Sequence, residues 1–238
     1  MAMMDITLPG ALPGYLARPA GHGPWPGVIV LHEAFGLTGD IRRQADRLAA
    51  EGYLAFAPDL YSRGPRIRCV QRAFRDLFAR RGRTFDDIEA ARQALAGRDD
   101  CTGKAGVIGF CMGGGFALLA AARYDFDAAS VNYGVVPQDA EGALKGACPV
   151  VAGYGKKDLS LRGKAAKLNR ALTVLDVPHD VKEYPGVGHS FLAEYDAGPV
   201  IGVLRRVTGM HHDPEVAADA WRRIFAFFDE HLYNGSTK

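Results

Sequence analysis

Residues 104–123 read KAGVIGFCMGGGFALLAAAR, an apolar stretch whose character changes halfway along. The short apolar run at 105–109 is typical of a buried strand. The longer apolar run at 116–122 lacks β-branched residues, which is typical of a helix. We therefore predict a strand that turns at once into a helix, with Gly109-Phe110-Cys111-Met112-Gly113 at the turn.

Cys111 occupies the apex of this predicted turn. Gly109 and Gly113, two residues to either side, let the strand and the helix approach closely. The pattern is that of the G-x-S-x-G nucleophile elbow with cysteine in place of serine. A helix N-terminus beneath the apex favours a thiolate, and the backbone N–H of Met112 is placed to bind a developing oxyanion. The alternative is a glycine-rich packing turn around a buried, inert cysteine.

Strands and helices alternate along the rest of the chain. Strands are predicted within 4–18 at the sheet edge and at 27–31, 53–57, 128–133, 149–154 and 179–184; helices are predicted at 40–51, 70–78, 84–96, 161–175 and from 213 onward. Thr84 resembles an N-cap with Asp87 three residues later. The alternation predicts one α/β domain over residues 1–238, with a mostly parallel sheet between helices on both faces. Segments 60–82 and 190–212 are expected to pass over the site.

The composition narrows the class of protein. The 238 residues are 48% apolar and 24% charged, and the net charge of +2 favours neither a nucleic-acid nor a membrane partner. No apolar run is long enough to span a membrane, and residues 1–19 lack the features of a secretory signal. The four cysteines show no metal-binding spacing. We predict a cytoplasmic monomer or small homo-oligomer that needs no metal or cofactor.

One histidine-rich stretch resembles a metal site in its residue types. His211-His212-Asp213 places three potential ligands side by side. Adjacent histidines rarely point the same way, and Asp213 is better explained as a helix N-cap followed by Pro214. We therefore discount a metal site there.

The residues that follow the predicted strands point to chemistry. Ligands of open α/β sheets bind outside the carboxyl ends of the strands. Glu33, Cys111, Asp158 and His189 each follow a different predicted strand, so they are expected at one edge of the sheet. The order nucleophile, Asp, His along the chain is the order that α/β-hydrolases use.

These residue types suggest distinct roles. Cys111 would attack an acyl carbon, His189 would move the proton, and Asp158 would fix the tautomer and orientation of the imidazole. Asp158 also suits an ordinary loop or N-cap aspartate, and His189 a structural histidine. Asp176 and Asp180 are rivals for the acid, but they flank Pro178 at the opposite end of the sheet.

Glu33 is an unusual residue for this position. A carboxylate beside an apolar strand needs a partner to offset its desolvation. We expect it to compete with His189 for the thiol, whereas the alternative is an exposed loop acid. The backbone N–H of Ala34 would be the second oxyanion donor beside that of Met112.

Four linked motifs resemble the dienelactone hydrolase family, a branch of the α/β-hydrolases: His32-Glu33-Ala34-Phe35-Gly36, Pro58-Asp59-Leu60-Tyr61, Gly109-Phe110-Cys111-Met112-Gly113-Gly114 and Gly188-His189-Ser190-Phe191. The resemblance covers the catalytic core in the same order. It implies a Cys111-His189-Asp158 triad and a Glu33 that contacts the resting thiol and is displaced by substrate. It also implies that Phe35 and Tyr133 line the substrate pocket.

The sequence departs from the family just after the histidine motif. Family members that hydrolyse dienelactone carry an arginine there that grips the substrate carboxylate, whereas this chain reads Phe191-Leu192-Ala193. Arg205, Arg206, Arg68 or Arg72 would have to take over that contact, although each suits a surface position. The fold and triad are therefore expected to carry over further than the substrate.

Three functions remain open at this point. The main one is a cofactor-free hydrolase of a small-molecule lactone, ester or thioester that forms an acyl-cysteine intermediate. The second is a redox protein with a reactive Cys111, for which Cys148 is the resolving cysteine that we place on the same side of the sheet. The third is an inactive hydrolase fold used as a binding module.

Overall fold

A mixed eight-stranded sheet forms the centre of the protein in this computed structural model, which describes residues 2–194 and 212–233. The strand order is β1-β2-β4-β3-β5-β6-β7-β8. The first two strands pair antiparallel, β2 pairs antiparallel with β4, and the remaining neighbours are parallel. The strands are β1 Ala2–Thr7, β2 Pro13–Arg18, β3 Trp25–Leu31, β4 Leu54–Pro58, β5 Cys101–Phe110, β6 Ala128–Asn132, β7 Val150–Gly155 and β8 His179–Tyr184.

Seven α-helices connect or flank these strands within the described residues. They are α1 Gly39–Ala50, α2 Arg66–Ala79, α3 Arg83–Ala96, α4 Met112–Arg123, α5 Ala140–Ala143, α6 Lys164–Val174 and α7 Pro214–Phe228. A 3-10 turn covers Leu159–Leu161, and a π-helical turn covers Asp229–Tyr233. The alternation of strands and helices that the sequence predicts is confirmed.

The central strands are apolar because they are covered on both sides. Every residue of β3, β4, β6 and β7 is buried. On one side Arg47 of α1 stacks over the Trp221 ring of α7, and Trp221 reaches Phe110 at the end of β5. Phe85 of α3 and Phe116 of α4 form an edge-to-face pair. This packing supplies the continuous core that parallel strands need.

The start of α3 differs from the prediction. Thr84 lies inside the helix, and Gly82 stands at the N-cap position without a side-chain cap. The buried carboxylate of Asp76 in α2 accepts hydrogen bonds from the Thr84 backbone N–H at 3.1 Å and from its hydroxyl at 2.8 Å. The Asp87 carboxylate forms an ion pair with Arg63 and does not cap the start of the helix. A carboxylate from the neighbouring helix therefore replaces the local cap, which no local sequence pattern indicates.

The structure describes all of segment 60–82 but only the ends of segment 190–212, the two segments expected over the site. Segment 60–82 contains α2, which begins four residues earlier than predicted. The greater part of segment 190–212, including Arg205, Arg206 and His211, lies outside the described residues. Asp213 caps α7 by accepting from the Val216 N–H, as predicted.

The described residues contain neither a membrane-spanning helix nor a cluster of metal ligands. Within 2–194 and 212–233, no helix combines the length and the apolar character that crossing a bilayer requires. In that part of the chain, no three His, Cys, Asp or Glu side chains are grouped closely enough to hold a metal ion.

Candidate active site

Cys111 sits at a sharp turn between β5 and α4. Its backbone has φ 56° and ψ −113°, a conformation that L-residues rarely adopt and that costs roughly 1–3 kcal/mol. The turn is held by two backbone hydrogen bonds. The Cys111 N–H donates to the carbonyl of Asn132 at 3.0 Å, and the Cys111 carbonyl accepts from Gly115 at 3.2 Å. The structure thus places Cys111 at the elbow that the sequence predicts.

Glycine is required at both ends of the elbow because backbones approach there. A Cβ at Gly109 would lie 2.0 Å from the carbonyl oxygen of Gly113, and a Cβ at Gly113 would lie 2.2 Å from the carbonyl oxygen of Leu31. These contacts bring the end of β3, and with it the following residues 32–36, against the start of α4.

His189 and Asp158 meet at the carboxyl edge of the sheet. The His189 Nδ1 lies 2.5 Å from Asp158 Oδ2, and the other carboxylate oxygen accepts from the Ser160 hydroxyl at 2.6 Å and from its N–H at 3.0 Å. Burial works to raise the pKa of Asp158, but the hydrogen bonds from His189 and Ser160 outweigh it and lower that pKa. Asp158 is therefore a carboxylate that holds the imidazole.

The Cys111 side chain is close enough to His189 to influence its pKa. Burial works to lower the pKa of His189, but the hydrogen bond with Asp158 and the interaction with Cys111 outweigh it and raise the pKa to about 10. The structure thus brings His189 into contact with Asp158 and places Cys111 near the same imidazole.

The loops after β7 and β8 are tied together beneath His189. The Lys156 and Lys157 N–H groups donate to the carbonyls of Tyr184 and Val187. A Cβ at Gly155 would lie 2.2 Å from the carbonyl oxygen of Gly188, so glycine is needed where the loops cross. The rival Asp180 forms an ion pair with Arg223 of α7, away from His189.

Glu33 is buried at the edge of this site. Glu33 is only 3% exposed, so the alternative of an exposed loop acid is wrong. Its carboxylate accepts a long hydrogen bond, 3.4 Å, from the hydroxyl of Ser190, the residue after the histidine. Ser190 has a positive φ of 59°, so the loop backbone is distorted at this point. Glu33 is therefore linked to the loop that carries His189.

The two predicted oxyanion donors come from adjacent segments. Met112 opens α4 and is buried, and its sulfur lies 3.6 Å from the Tyr61 hydroxyl. The same hydroxyl lies 3.2 Å from the carbonyl oxygen of Ala34. The segment that follows β3 and the N-terminus of α4 are thus held against one aromatic side chain, which lies in the loop after β4.

Phe35 and Tyr133 have different surroundings. Phe35 is 48% exposed, at the surface of the segment that carries Ala34. Tyr133 is buried, and its ring centroid lies 5.1 Å from that of His189 and 5.4 Å from that of Phe191. Tyr133 therefore packs directly against the imidazole, and its role in lining a pocket remains a prediction.

Among the arginines expected to bind a substrate carboxylate, Arg72 has a partner within its own helix. Arg72 donates to the sulfur of Cys69 within α2 at 3.0 Å. Ala193, where relatives that hydrolyse dienelactone carry an arginine, is buried at 2% exposure. The site therefore shows no cation directly after His189 within the residues described.

Cys148 lies at the opposite edge of the sheet from Cys111, which corrects the placement expected from the sequence. It precedes β7, and its N–H donates to the carbonyl of Ala121, near the end of α4. Ala121 lies ten positions along the chain from Cys111, which corresponds to a helical rise of roughly 15 Å. Burial raises the pKa of the Cys148 thiol to about 12. Cys148 is thus too distant and too inert to act as a resolving cysteine.

A cavity of about 530 Å³ opens between α2, α4, the loop after β6 and the 3-10 turn, and its walls do not include Cys111, Asp158 or His189. Ser160, which bonds to Asp158, contributes to its wall. Most of the lining is apolar. The apolar residues are Leu77, Phe78, Leu119, Val135, Val136, Pro137 and Leu161, and the other polar ones are Arg80, Gln138, Asp139 and Lys164. The cavity suits an apolar group of a small molecule.

Sequence reasoning assigned no role to three polar residues that shape the site. Asn132 lies at the end of β6 and donates to the carbonyl of Gly109 at 3.3 Å. Ser160 supports Asp158, and His32 links two loops. Asn132 ends β6 and His32 directly follows β3, and that position was the available signal for these two, whereas Ser160 lies in the 3-10 turn after β7. Their partners lie on other loops, so their roles could not be derived from local patterns.

The sequence model of the dienelactone hydrolase family matches residues 12–232. The chain belongs to the dienelactone hydrolase family. A carboxymethylenebutenolidase from Rhodococcus opacus is 30% identical over 253 residues, which cover 99% of this chain and 94% of the relative. Membership makes the chain a hydrolase of carboxylic esters.

Solved structures of the family show the same fold. One is described as "Putative Dienelactone Hydrolase" from Klebsiella pneumoniae; it is 29% identical, has a TM-score of 0.78, and the alignment covers 96% of this chain and 98% of that one. The dienelactone hydrolase from Anabaena variabilis is 20% identical with a TM-score of 0.68, covering 97% and 98% of the two chains. The α/β-hydrolase fold predicted from the sequence is confirmed.

Proposed function

We propose that this protein hydrolyses a small-molecule ester, lactone or thioester through an acyl-Cys111 intermediate, without a cofactor. The observation that carries the proposal is the imidazole of His189, which bonds to Asp158 and lies near the Cys111 side chain at the strained elbow. A nucleophile, a proton carrier and an orienting carboxylate in contact are the parts that acyl transfer needs.

The first half-reaction transfers the acyl group to the enzyme. The Cys111 sulfur attacks the carbonyl carbon while the thiol proton resides on His189. The N–H groups of Met112 and Ala34 stabilise the negative charge on the carbonyl oxygen. When the tetrahedral intermediate collapses, the bond to the leaving group breaks, and His189 protonates the departing alcohol, enol or thiol.

The second half-reaction releases the acid. His189, now neutral, takes a proton from water, and the resulting hydroxide attacks the thioester carbon. The bond to sulfur breaks, and the proton on His189 returns to the thiol. Asp158 keeps the Nδ1 nitrogen of His189 engaged throughout, so the Nε2 nitrogen faces Cys111 in both steps.

Glu33 regulates the resting thiol in this proposal. Its buried carboxylate competes with His189 for Cys111 until substrate displaces it. Support comes from its burial and from its link to Ser190, since any movement of Glu33 is transmitted to the residue next to His189.

The substrate is proposed to be small and largely apolar beyond its ester group. The cavity beside Ser160 is apolar over most of its wall, and no arginine follows His189 directly. Neutral esters should therefore compete well with lactones that carry a carboxylate, in contrast to dienelactone itself. A cytoplasmic location and a monomeric or small homo-oligomeric state remain predictions.

The test is hydrolysis of a small activated aryl ester by the wild type, Cys111→Ala and Cys148→Ala. The wild type and Cys148→Ala should turn over equally, and Cys111→Ala should lose activity by at least about 100-fold. Comparable activity of Cys111→Ala would remove the nucleophile from the proposal. Inactivity of all three toward a panel of aryl esters, lactones and thioesters would favour a binding module.

A further inference from the structure

His32 is completely buried between the segments that follow β3 and β4. Its Nδ1 lies 2.7 Å from the carbonyl oxygen of Glu33, and its Nε2 lies 3.2 Å from the backbone nitrogen of Leu60. The Tyr61 ring packs against the imidazole edge-to-face, with centroids 4.7 Å apart. The imidazole therefore connects the two segments through both of its nitrogens.

The two contacts determine the tautomer of His32. A backbone N–H only donates, so Nε2 must accept from Leu60 and carries no proton. Nδ1 then carries the hydrogen and donates to the Glu33 carbonyl. Burial lowers the pKa of His32, although the hydrogen bond to the Glu33 carbonyl works to raise it. The buried imidazole is therefore neutral.

The Glu33 carbonyl shares a peptide plane with the Ala34 N–H. In a trans peptide these two groups point in opposite directions, so a bond that fixes one also fixes the direction of the other. The Gly36 N–H also donates to the Glu33 carbonyl, at 3.0 Å. The next plane is restrained as well, since the Tyr61 hydroxyl lies 3.2 Å from the Ala34 carbonyl oxygen.

We propose that His32 is a positioning residue that holds the Ala34 N–H toward the developing oxyanion by fixing the Glu33 carbonyl on the opposite side of the same peptide. His32 acts through the backbone and does not contact the reacting atoms. This inference rests on the proposed function, because it requires Ala34 to serve as an oxyanion donor.

Two amide variants separate the two contacts of His32. Asparagine places its Nδ2 donor where Nδ1 stands and can hold the Glu33 carbonyl, but it does not reach Leu60. Glutamine places its oxygen near the Nε2 position and can accept from Leu60. Phenylalanine preserves the ring volume and removes both bonds.

The measurements are kcat and KM for an aryl ester, together with the rate at which iodoacetamide alkylates Cys111. Alkylation of the thiol builds no oxyanion, so it reports the nucleophile alone. We expect His32→Phe and His32→Gln to lower kcat about 10- to 100-fold with KM changed less than about twofold, because a misdirected donor loses part of its effect. Alkylation should not change, and His32→Asn should keep kcat within about threefold of the wild type.

Three outcomes would overturn the inference. One is an equal loss of kcat in all three variants, which would indicate general damage to the loops. Another is alkylation that falls in parallel with kcat, and the third is full activity of His32→Phe. If that variant does not fold, the contrast between His32→Asn and His32→Gln decides. Failure of the proposed function would appear separately, as inactivity of the wild type or activity of Cys111→Ala.

Discussion

The positions of some residues at the centre of the site can be predicted from the sequence, whereas the contacts of others cannot. Cys111, Asp158 and His189 each follow a strand, and parallel strands bring their carboxyl ends together, so their meeting follows from the pattern. Glu33 follows the same logic. Its burial and its bond to Ser190 arise from packing between distant loops, which the order of residues does not encode locally.

Replacing Glu33 by glutamine tests its control of the thiol. In the proposed site, the buried carboxylate of Glu33 opposes a second negative charge on the Cys111 sulfur and competes with His189 for the thiol. Glu33→Gln should therefore raise the rate of Cys111 alkylation by iodoacetamide at neutral pH, by about threefold to tenfold. The measurement is a time course of modification followed by mass spectrometry.

Glu183→Gln is the matched control, since Glu183 is an exposed carboxylate on β8. It should leave the alkylation rate unchanged. A rate that is identical in wild type and Glu33→Gln across about pH 6 to 8 would show that Glu33 does not act on the thiol.

At the level of elements, the elbow was the most predictable feature and the start of α3 the least. The glycines around Cys111 leave few alternatives, because the backbone distances there exclude any Cβ. The cap of α3 depends on Asp76, which precedes Thr84 by eight residues and belongs to another helix. Local patterns predict local interactions, and this one is tertiary.

Gly113→Ala tests the close packing of the elbow. The added Cβ would lie 2.2 Å from the Leu31 carbonyl oxygen, so β3 or α4 must shift. We expect the free energy of unfolding to fall by about 2–3 kcal/mol or more, measured by urea denaturation. Activity should also fall, because the same shift moves Met112 and the loop that carries Ala34.

Gly186→Ala serves as its control. Gly186 has open space around it, with nothing within 4 Å of an added Cβ. Its stability should remain within about 0.5 kcal/mol of the wild type. Equal stability of Gly113→Ala and Gly186→Ala would contradict the packing described for the elbow.

At the level of the whole molecule, the sequence predicts the sheet but does not predict its complete strand order. Apolar runs identify strands covered on both faces, and the short N-terminal strands read as antiparallel edges. The antiparallel pairing of β2 with β4 depends on long-range contacts between segments about forty residues apart. The bond between His189 and Asp158 then joins the loops after β7 and β8.

The contacts of His189 should make the free energy of unfolding depend on pH. The pKa of His189 is raised to about 10 in the folded protein, against an ordinary value of 6.5. Its stabilising contribution is therefore complete below about pH 6.5 and is lost as the pH rises toward 10. We expect the free energy of unfolding of the wild type to decline over this range, relative to His189→Asn, in urea titrations at a series of pH values.

His22→Asn is the control for the pH series, because His22 lies in an exposed loop. The free energy of unfolding of His22→Asn should decline with pH in parallel with that of the wild type. A wild type and a His189→Asn variant with the same pH dependence between about 6.5 and 10 would contradict the charged contacts assigned to His189.

The most direct test of the account is to trap the acyl-enzyme. The protein is mixed with an activated aryl ester, quenched in acid within the first turnovers, and analysed by intact mass and peptide mapping. The acyl-cysteine mechanism predicts one added acyl group on the peptide that contains Cys111, and none in Cys111→Ala. Turnover without acylation of Cys111, or an acyl group on another residue that forms and decays with turnover, would contradict it.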